Sequence, residues 1–139
     1  MVRIMSSVIA CCVLFLLAAC SSGEDIASAE QELPRFRELM AAAEFSKIFE
    51  ESSPELKQAI SEQDFVKFLE SVHRKLGTVR GSERSGWRVN VGTSGTFVSL
   101  GYKTGFEHGD GTEQFIFRVS DGKAALAGYR IDSMALVTN

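Results

Sequence analysis

The stretch from Gly95 to Ile131, GTFVSLGYKTGFEHGDGTEQFIFRVSDGKAALAGYRI, decides the fold of this chain. In its first two segments, apolar residues alternate with polar ones, which is the period of a half-buried β-strand. Asp121-Gly122 precedes the third segment and supplies the positive φ angles of a two-residue hairpin turn. A looser and longer turn is expected at residues 108–111. The stretch therefore predicts three consecutive antiparallel strands that need a cover on one face.

The sequence before this sheet carries the three- and four-residue spacing of helices. Apolar residues between Leu33 and Glu51 follow that spacing, with a shift of phase at Phe45 that predicts a kink or break nearby. Pro34 is expected in the first turn of this helix, where its missing N–H costs nothing. Ser53-Pro54 then predicts the start of a short helix that ends at Ile60.

The clearest helix begins at a capping box, Ser61 to Asp64, and ends at Gly77. Its apolar residues form a stripe that we expect to cover the sheet: Phe65, Phe68, Leu69, Val72 and Leu76. Residues 78–92 indicate a further extended segment. Helices followed by three or four strands predict an α+β fold, with the helices packed on one face of a curved, cone-like antiparallel sheet.

The N-terminus has the features of an export signal. Arg3 precedes a short apolar run that ends in Leu17-Ala18-Ala19-Cys20, and this tetrapeptide resembles a bacterial lipobox, whose cysteine is lipidated. We therefore expect residues 1–19 to be a lipoprotein signal peptide, residues 20–32 a lipidated polar tether and residues 33–135 a single domain. Ordinary secretion and a retained anchor helix are the alternatives. The expected location is the bacterial cell envelope, on the periplasmic face of the outer membrane where the source has one.

Composition and charge restrict the classes of partner. Cys11 and Cys12 lie in the predicted signal, so the mature domain would keep Cys20 alone and could form no internal disulfide. Loss of Arg3 leaves 14 basic and 18 acidic residues, a net charge of −4, which argues against a nucleic acid partner. No cofactor or metal site is expected.

Two segments and a strand carry a family resemblance. Ser-Pro-Glu-Leu-Lys at residues 53–57, the helix end Lys75-Leu76-Gly77 and the closing strand Leu126-Ala127-Gly128-Tyr129 resemble small exported bacterial proteins of unknown function. These are similar in fold to the nuclear-transport-factor-2-like, or cystatin-like, superfamily, and the resemblance spans about residues 30 to 133. It implies a curved sheet that wraps a long helix around a cone-shaped pocket. Some members of that superfamily are enzymes, and many bind small molecules or proteins.

Few residues offer chemistry. Glu113 shares its strand face with Phe115 and Phe117, and Tyr102 and Tyr129 are expected to point inward, so an isomerase or hydratase could use Glu113 with either tyrosine. We favour a solvated Glu113 at the start of a strand, because lone buried carboxylates are costly. His73 is interpreted as a solvated surface histidine.

The aromatic residues of the sheet are mostly expected in the core. Trp87 and Phe97 are candidate pocket or interface residues, together with Tyr102, Glu113 and Tyr129. Phe97 falls on the face opposite the helices, where it could join a homodimer. The leading hypothesis is a non-enzymatic, membrane-tethered module that binds a small apolar ligand or an envelope protein, and the pocket enzyme is the alternative.

Overall fold

The protein forms a layer of helices on an antiparallel sheet. The structure, a computed structural model, describes residues 2–138, with the side chains of residues 21–138. In chain order the elements are α1 Val2–Ala41, α2 Phe45–Glu51, α3 Pro54–Ala59, α4 Glu62–Leu76, β1 Val79–Gly92, β2 Gly95–Phe106, β3 Gly109–Ser120, β4 Lys123–Asp132 and α5 Ala135–Thr138. The four strands lie in the order β1-β2-β3-β4 and every neighbouring pair is antiparallel. The α+β prediction is confirmed.

The strand pattern of the sequence holds in the structure. Val98, Leu100 and Tyr102 of β2 are buried, as are Phe115 and Phe117 of β3. Val98 pairs with Phe117 and Leu100 with Phe115, so the buried side chains of neighbouring strands share one face. The helices pack on this face of the sheet, and the core lies between the two layers.

Of the two turns predicted between the strands, one is present as expected and the other is shorter than expected. Asp121 and Gly122 both have positive φ angles, 53° and 72°, as the predicted hairpin turn requires. The looser turn predicted at residues 108–111 is wrong, because β2 ends at Phe106 and β3 begins at Gly109. Glu107 and His108 make the turn instead.

Helix α1 is the main cover of the sheet. The Phe36 ring lies 5.1 Å from the Phe115 ring and 5.0 Å from that of Tyr129, measured between centroids. Residues 21–32, predicted as a polar tether, continue the same helix, and Ala29 is fully buried while Ile26 packs against the core. The helix start predicted at Leu33 is therefore wrong, since Pro34 lies inside α1.

Helix α4 packs beside α1 and begins as predicted. The Ser61 hydroxyl accepts a hydrogen bond from the Asp64 backbone N–H at 3.1 Å. Phe65 and Leu69 are buried in the same cluster as Phe115 and Phe117, and the partly buried Phe68 ring lies 5.9 Å from the Tyr129 ring. The stripe of α4 therefore joins the core, although α1 lies more directly on the strands.

The predicted break between the first two helices is present. Helix α1 ends at Ala41, Ala43 has a positive φ angle of 55°, and α2 begins at Phe45. Phe45 and Ile48 then reach the core from a new direction, which explains the shift of phase in the sequence.

Candidate functional site

Glu113 is a charged residue that lies buried in the core of the domain. Glu113 is 0% exposed, although in the sequence it closely follows the glycine-rich residues 108–111, which are typical of a turn. The interpretation of Glu113 as solvated is wrong. The strand alternation places it on the core face with Phe115, and β3 begins early enough, at Gly109, to hold it inside the sheet.

Four hydrogen bonds hold the Glu113 carboxylate. Oε1 accepts from Arg37 Nη1 at 2.8 Å and from the Tyr129 hydroxyl at 2.7 Å. Oε2 accepts from Arg37 Nη2 at 2.5 Å and from the Thr104 hydroxyl at 2.6 Å. A carboxylate offers about four lone-pair sites, so this one is saturated. The bidentate pairing with Arg37 joins α1 to β3.

Arg37 comes from the covering helix. Its side chain is 19% exposed, and its guanidinium carbon lies 5.3 Å from the centroid of the Phe115 ring. Arg37 was not among the predicted site residues, although its position carries a signal. It is four residues after Leu33 and three before Met40, within the apolar stripe of the helix. A charged residue in that position needs a partner inside the protein.

Tyr129 is held neutral by its surroundings. Its pKa is raised well above the usual value, mainly by burial, then by the negative charge of Glu113 and by the hydrogen bond to it. The hydroxyl therefore stays a donor to Glu113 at any ordinary pH.

Tyr102 does not join this network. It is buried and lies directly opposite Glu113 on the neighbouring strand, but no hydrogen bond between the two is present among the described residues. Burial raises the Tyr102 pKa, and the negative charge of Glu30 raises it further. Of the two predicted tyrosine partners, the structure brings Tyr129 to Glu113.

A cavity of about 110 Å³ adjoins the network, and we call it the Arg37 cavity. It lies between the C-terminal half of α1, the end of α4 and the sheet. Its lining residues are Arg37, Met40, Ala41, His73, Gly77, Thr78, Val79, Phe106, Glu113 and Tyr129.

His73 contributes an unpaired polar atom to this region. The residue is half-buried against the Phe45 ring, at 5.7 Å between centroids, and its Nδ1 is buried with no hydrogen-bond partner among the described residues. The interpretation of His73 as a solvated surface residue is wrong. It follows Leu69 by four residues, which places it at the flank of the α4 stripe. A buried polar atom without a partner costs about 1–3 kcal/mol.

Trp87 and Phe97, two of the predicted pocket or interface residues, do not line the Arg37 cavity. Trp87 is 57% exposed on the edge strand β1 and lies outside the core, and its role as a pocket or interface residue stays a prediction. It borders a separate groove of about 470 Å³ with Arg88 and Gln114. Phe97 is half-buried, with the Arg118 guanidinium 5.9 Å from its ring centroid. The homodimer through this face stays a prediction.

The described residues show neither a metal site nor a membrane-spanning helix. Within residues 21–138, no group of three His, Cys, Asp or Glu side chains could hold a metal ion. Across the described part of the chain, no helix combines the length and apolar character that crossing a bilayer requires. Cys20 lies outside the residues whose side chains are described, so its predicted lipidation stays a prediction.

Comparison with known proteins places the fold in a family. The family model for a protein of unknown function, DUF4019, matches residues 35–129. The chain belongs to the DUF4019 family. That match runs from α1 to β4 and therefore contains Arg37, His73, Glu113 and Tyr129 of the cavity. Among curated proteins, none matches the DUF4019 chain significantly. The expected membership of a family of unknown function is confirmed, while the likeness to the nuclear-transport-factor-2-like superfamily stays a prediction.

Proposed function

We propose that this DUF4019 protein is a lipid-anchored bacterial envelope protein whose domain is a non-enzymatic binding module. Its binding site would be the Arg37 cavity. One observation carries the proposal: the buried carboxylate is fully occupied by protein donors, while the cavity beside it keeps polar groups that no described residue uses.

The occupied carboxylate favours a structural role for Glu113. A general base must present a free lone pair to the proton that it removes. Each oxygen of Glu113 already accepts two hydrogen bonds, one from Arg37 and one from a hydroxyl. Removing a substrate proton would require one of these buried bonds to break, which makes the group better suited to holding α1 on the sheet.

The unused groups favour binding. Arg37 carries five N–H donors and spends two on Glu113. His73 Nδ1 is buried beside the same cavity without a protein partner. Pockets that bind small molecules combine an apolar lining with a few such polar groups.

The binding site is tested with a matched pair of variants on one strand. Val79 lines the cavity, whereas Val91 is 76% exposed near the other end of β1. Saturation-transfer NMR with a library of small polar molecules should give hits that Val79→Phe removes and Val91→Phe keeps. Hits that survive in both variants would place binding outside the cavity. Chemical conversion of a hit would make the protein an enzyme.

The membrane anchor is tested separately. Because the lipobox ends at Cys20, Cys20→Ser should abolish labelling by fatty acid and release the protein from the membrane fraction, while Cys12→Ser should leave both unchanged. Equal labelling of the two variants would contradict the anchor.

A pocket enzyme of the isomerase or hydratase type is the second candidate. The contact of the Tyr129 hydroxyl with Glu113 at 2.7 Å favours it, since a base and a donor are the groups that such an enzyme needs. If it is correct, Tyr129→Phe would lower kcat for a substrate with little change in affinity.

A further inference from the structure

Strand β1 forms an open edge of the sheet. The strand order places β1 at one edge and β4 at the other. The β4 edge is partly covered, because the Ser53 N–H before α3 donates to the Leu126 carbonyl at 2.9 Å. Among the described residues, no backbone hydrogen bond reaches β1 from outside the sheet. The outward N–H and C=O groups of β1 are therefore available to another strand.

Only the first half of β1 carries the features that keep edge strands apart. Bulges, charged side chains and prolines are the usual protection. Two irregularities interrupt the pairing of β1 with β2 before Gly86, and three of the four charged residues of the strand lie there: Arg80, Glu83 and Arg84. Residues 86–92 pair with β2 without interruption, contain no proline and carry one charge, on Arg88. This second half, which we call the β1 edge segment, is the part of the edge that is open to pairing.

The β1 edge segment also exposes apolar side chains. Trp87 lies opposite the buried Leu100, and Val89 lies opposite the buried Val98, so both belong to the helix side of the sheet. Val91 follows on the same side by alternation. Trp87 and Val91 are exposed and Val89 is half-buried, so the helices leave this apolar row largely uncovered.

One antiparallel register matches the β1 edge segment with a second copy of itself. With a twofold axis at Val89, Trp87 lies opposite Val91 of the second copy. On the other face of the strand, Arg88 lies opposite Asn90 of that copy. Apolar side chains then meet apolar ones, and no like charges meet. Moving the axis to Arg88 would place two arginines opposite each other, and moving it to Asn90 would leave Trp87 beyond the end of the partner strand.

We propose that the protein forms a homodimer in which the β1 edge segments of two copies pair antiparallel about Val89, so that two four-stranded sheets become one continuous sheet. Lipid contact alone would not account for the open edge, because a bilayer offers no hydrogen-bond partner to backbone groups and a strand does. The segment is about 23 Å long, which is small for a permanent interface, so the dimer is reversible. This contact is separate from the outer face of the sheet, where Phe97 lies.

The experiment is sedimentation equilibrium of the full-length chain in density-matched detergent, with micelles in large excess over protein. The mass should rise with protein concentration from that of a monomer towards that of a dimer. Two valines of similar exposure give a matched pair of variants, Val91 at 76% and Val137 at 80%. Val91→Asp should weaken dimerisation about tenfold or more, because it would place an unpaired carboxylate opposite Trp87 of the second copy. Val137→Asp, on α5, should change it by less than about twofold.

A third variant tests the register. Asn90→Asp would place an aspartate opposite Arg88 of the second copy, twice in the dimer, so it should tighten dimerisation about threefold at low ionic strength. Circular dichroism should show that all three variants remain folded. A chain that stays monomeric at about 1 mM would overturn the proposal, and so would a dimer that Val91→Asp leaves intact. Unchanged or weaker association of the Asn90→Asp variant would overturn the register about Val89.

Discussion

At the scale of single residues, Glu113 and Arg37 determine how the helices meet the sheet. The carboxylate is fully buried and the guanidinium nearly so, with side-chain exposures of 0% and 19%. Each charge compensates for the removal of the other from water, and the hydroxyls of Thr104 and Tyr129 further stabilise the carboxylate. The pair therefore joins α1 to β3 specifically, within a core that is otherwise largely apolar.

The first prediction concerns this pair. Glu113→Gln would leave the Arg37 charge without its partner, and it should lower the free energy of unfolding by about 3 kcal/mol in urea denaturation. Glu51→Gln is the control, because Arg35 and Glu51 form a similar pair with side-chain exposures of 37% and 43%. That change should cost less than about 1 kcal/mol. Similar losses in the two variants would contradict the structural role of Glu113.

The second prediction concerns alkaline pH. Burial raises the pKa of both tyrosines of the chain, Tyr102 and Tyr129, above the usual value. The unfolded chain then loses tyrosine protons near pH 10 while the folded chain retains them, so stability should be constant below that pH and fall above it. Absorbance of ionised tyrosine should rise only with unfolding, as followed by circular dichroism. Ionisation of a tyrosine near pH 10 in the folded protein would contradict this.

At the scale of elements, the β2–β3 turn completes the end of α4. His108 N–H donates to the Leu76 carbonyl at 3.0 Å, and Glu107 N–H donates to that of Thr78 at 3.0 Å. The Glu107 carboxylate accepts from the Thr78 hydroxyl and from its N–H, which lowers the Glu107 pKa. The sheet turn thus satisfies backbone groups that the helix leaves unpaired at its end.

The third prediction compares two glycines. Gly77 and Gly122 both have positive φ angles, 75° and 72°, which strain alanine. Gly77 also has a ψ angle of −158°, a combination that almost only glycine adopts, so backbone strain there adds to any steric clash. A Cβ at Gly77 would come within 2.9 Å of Glu107 Cβ, whereas one at Gly122 would meet nothing within 4 Å. Gly122→Ala should cost about 1 kcal/mol and Gly77→Ala about 1–3 kcal/mol more, as measured by urea denaturation. Equal costs would mean that the turn and the helix end are not in tight contact.

At the scale of the whole molecule, α1 runs along the sheet from one end to the other. The Ser28 hydroxyl lies 3.2 Å from the Gly122 carbonyl in the β3–β4 turn, and Arg37 reaches Glu113 towards the opposite end of β3. Residues before Leu33 therefore belong to the packed domain. If Cys20 carries lipid, the domain would be joined to the membrane through this helix rather than through a flexible tether.

The fourth prediction tests that arrangement with two neighbouring alanines. Ala29 is fully buried and Ala27 is exposed on the same helix. Ala29→Asp would bury an unpaired carboxylate and should cost about 3 kcal/mol or more, while Ala27→Asp should change stability by less than about 0.5 kcal/mol. Matching denaturation curves for the two variants would show that this part of the helix does not pack on the sheet.

Local sequence patterns were enough to predict the class of fold, the strand faces, the break after α1 and the turn at Asp121-Gly122. These features depend on local rules, because side-chain alternation and backbone φ preferences act over a few residues. Tertiary structure alone decided that Glu113 is ionically paired, since its partner Arg37 is 76 residues away. Periodicity tells which side chains face inward, but it cannot tell which of them meet. The candidate site is formed by contacts between α1, α4 and the sheet, so only the packed tertiary structure reveals it.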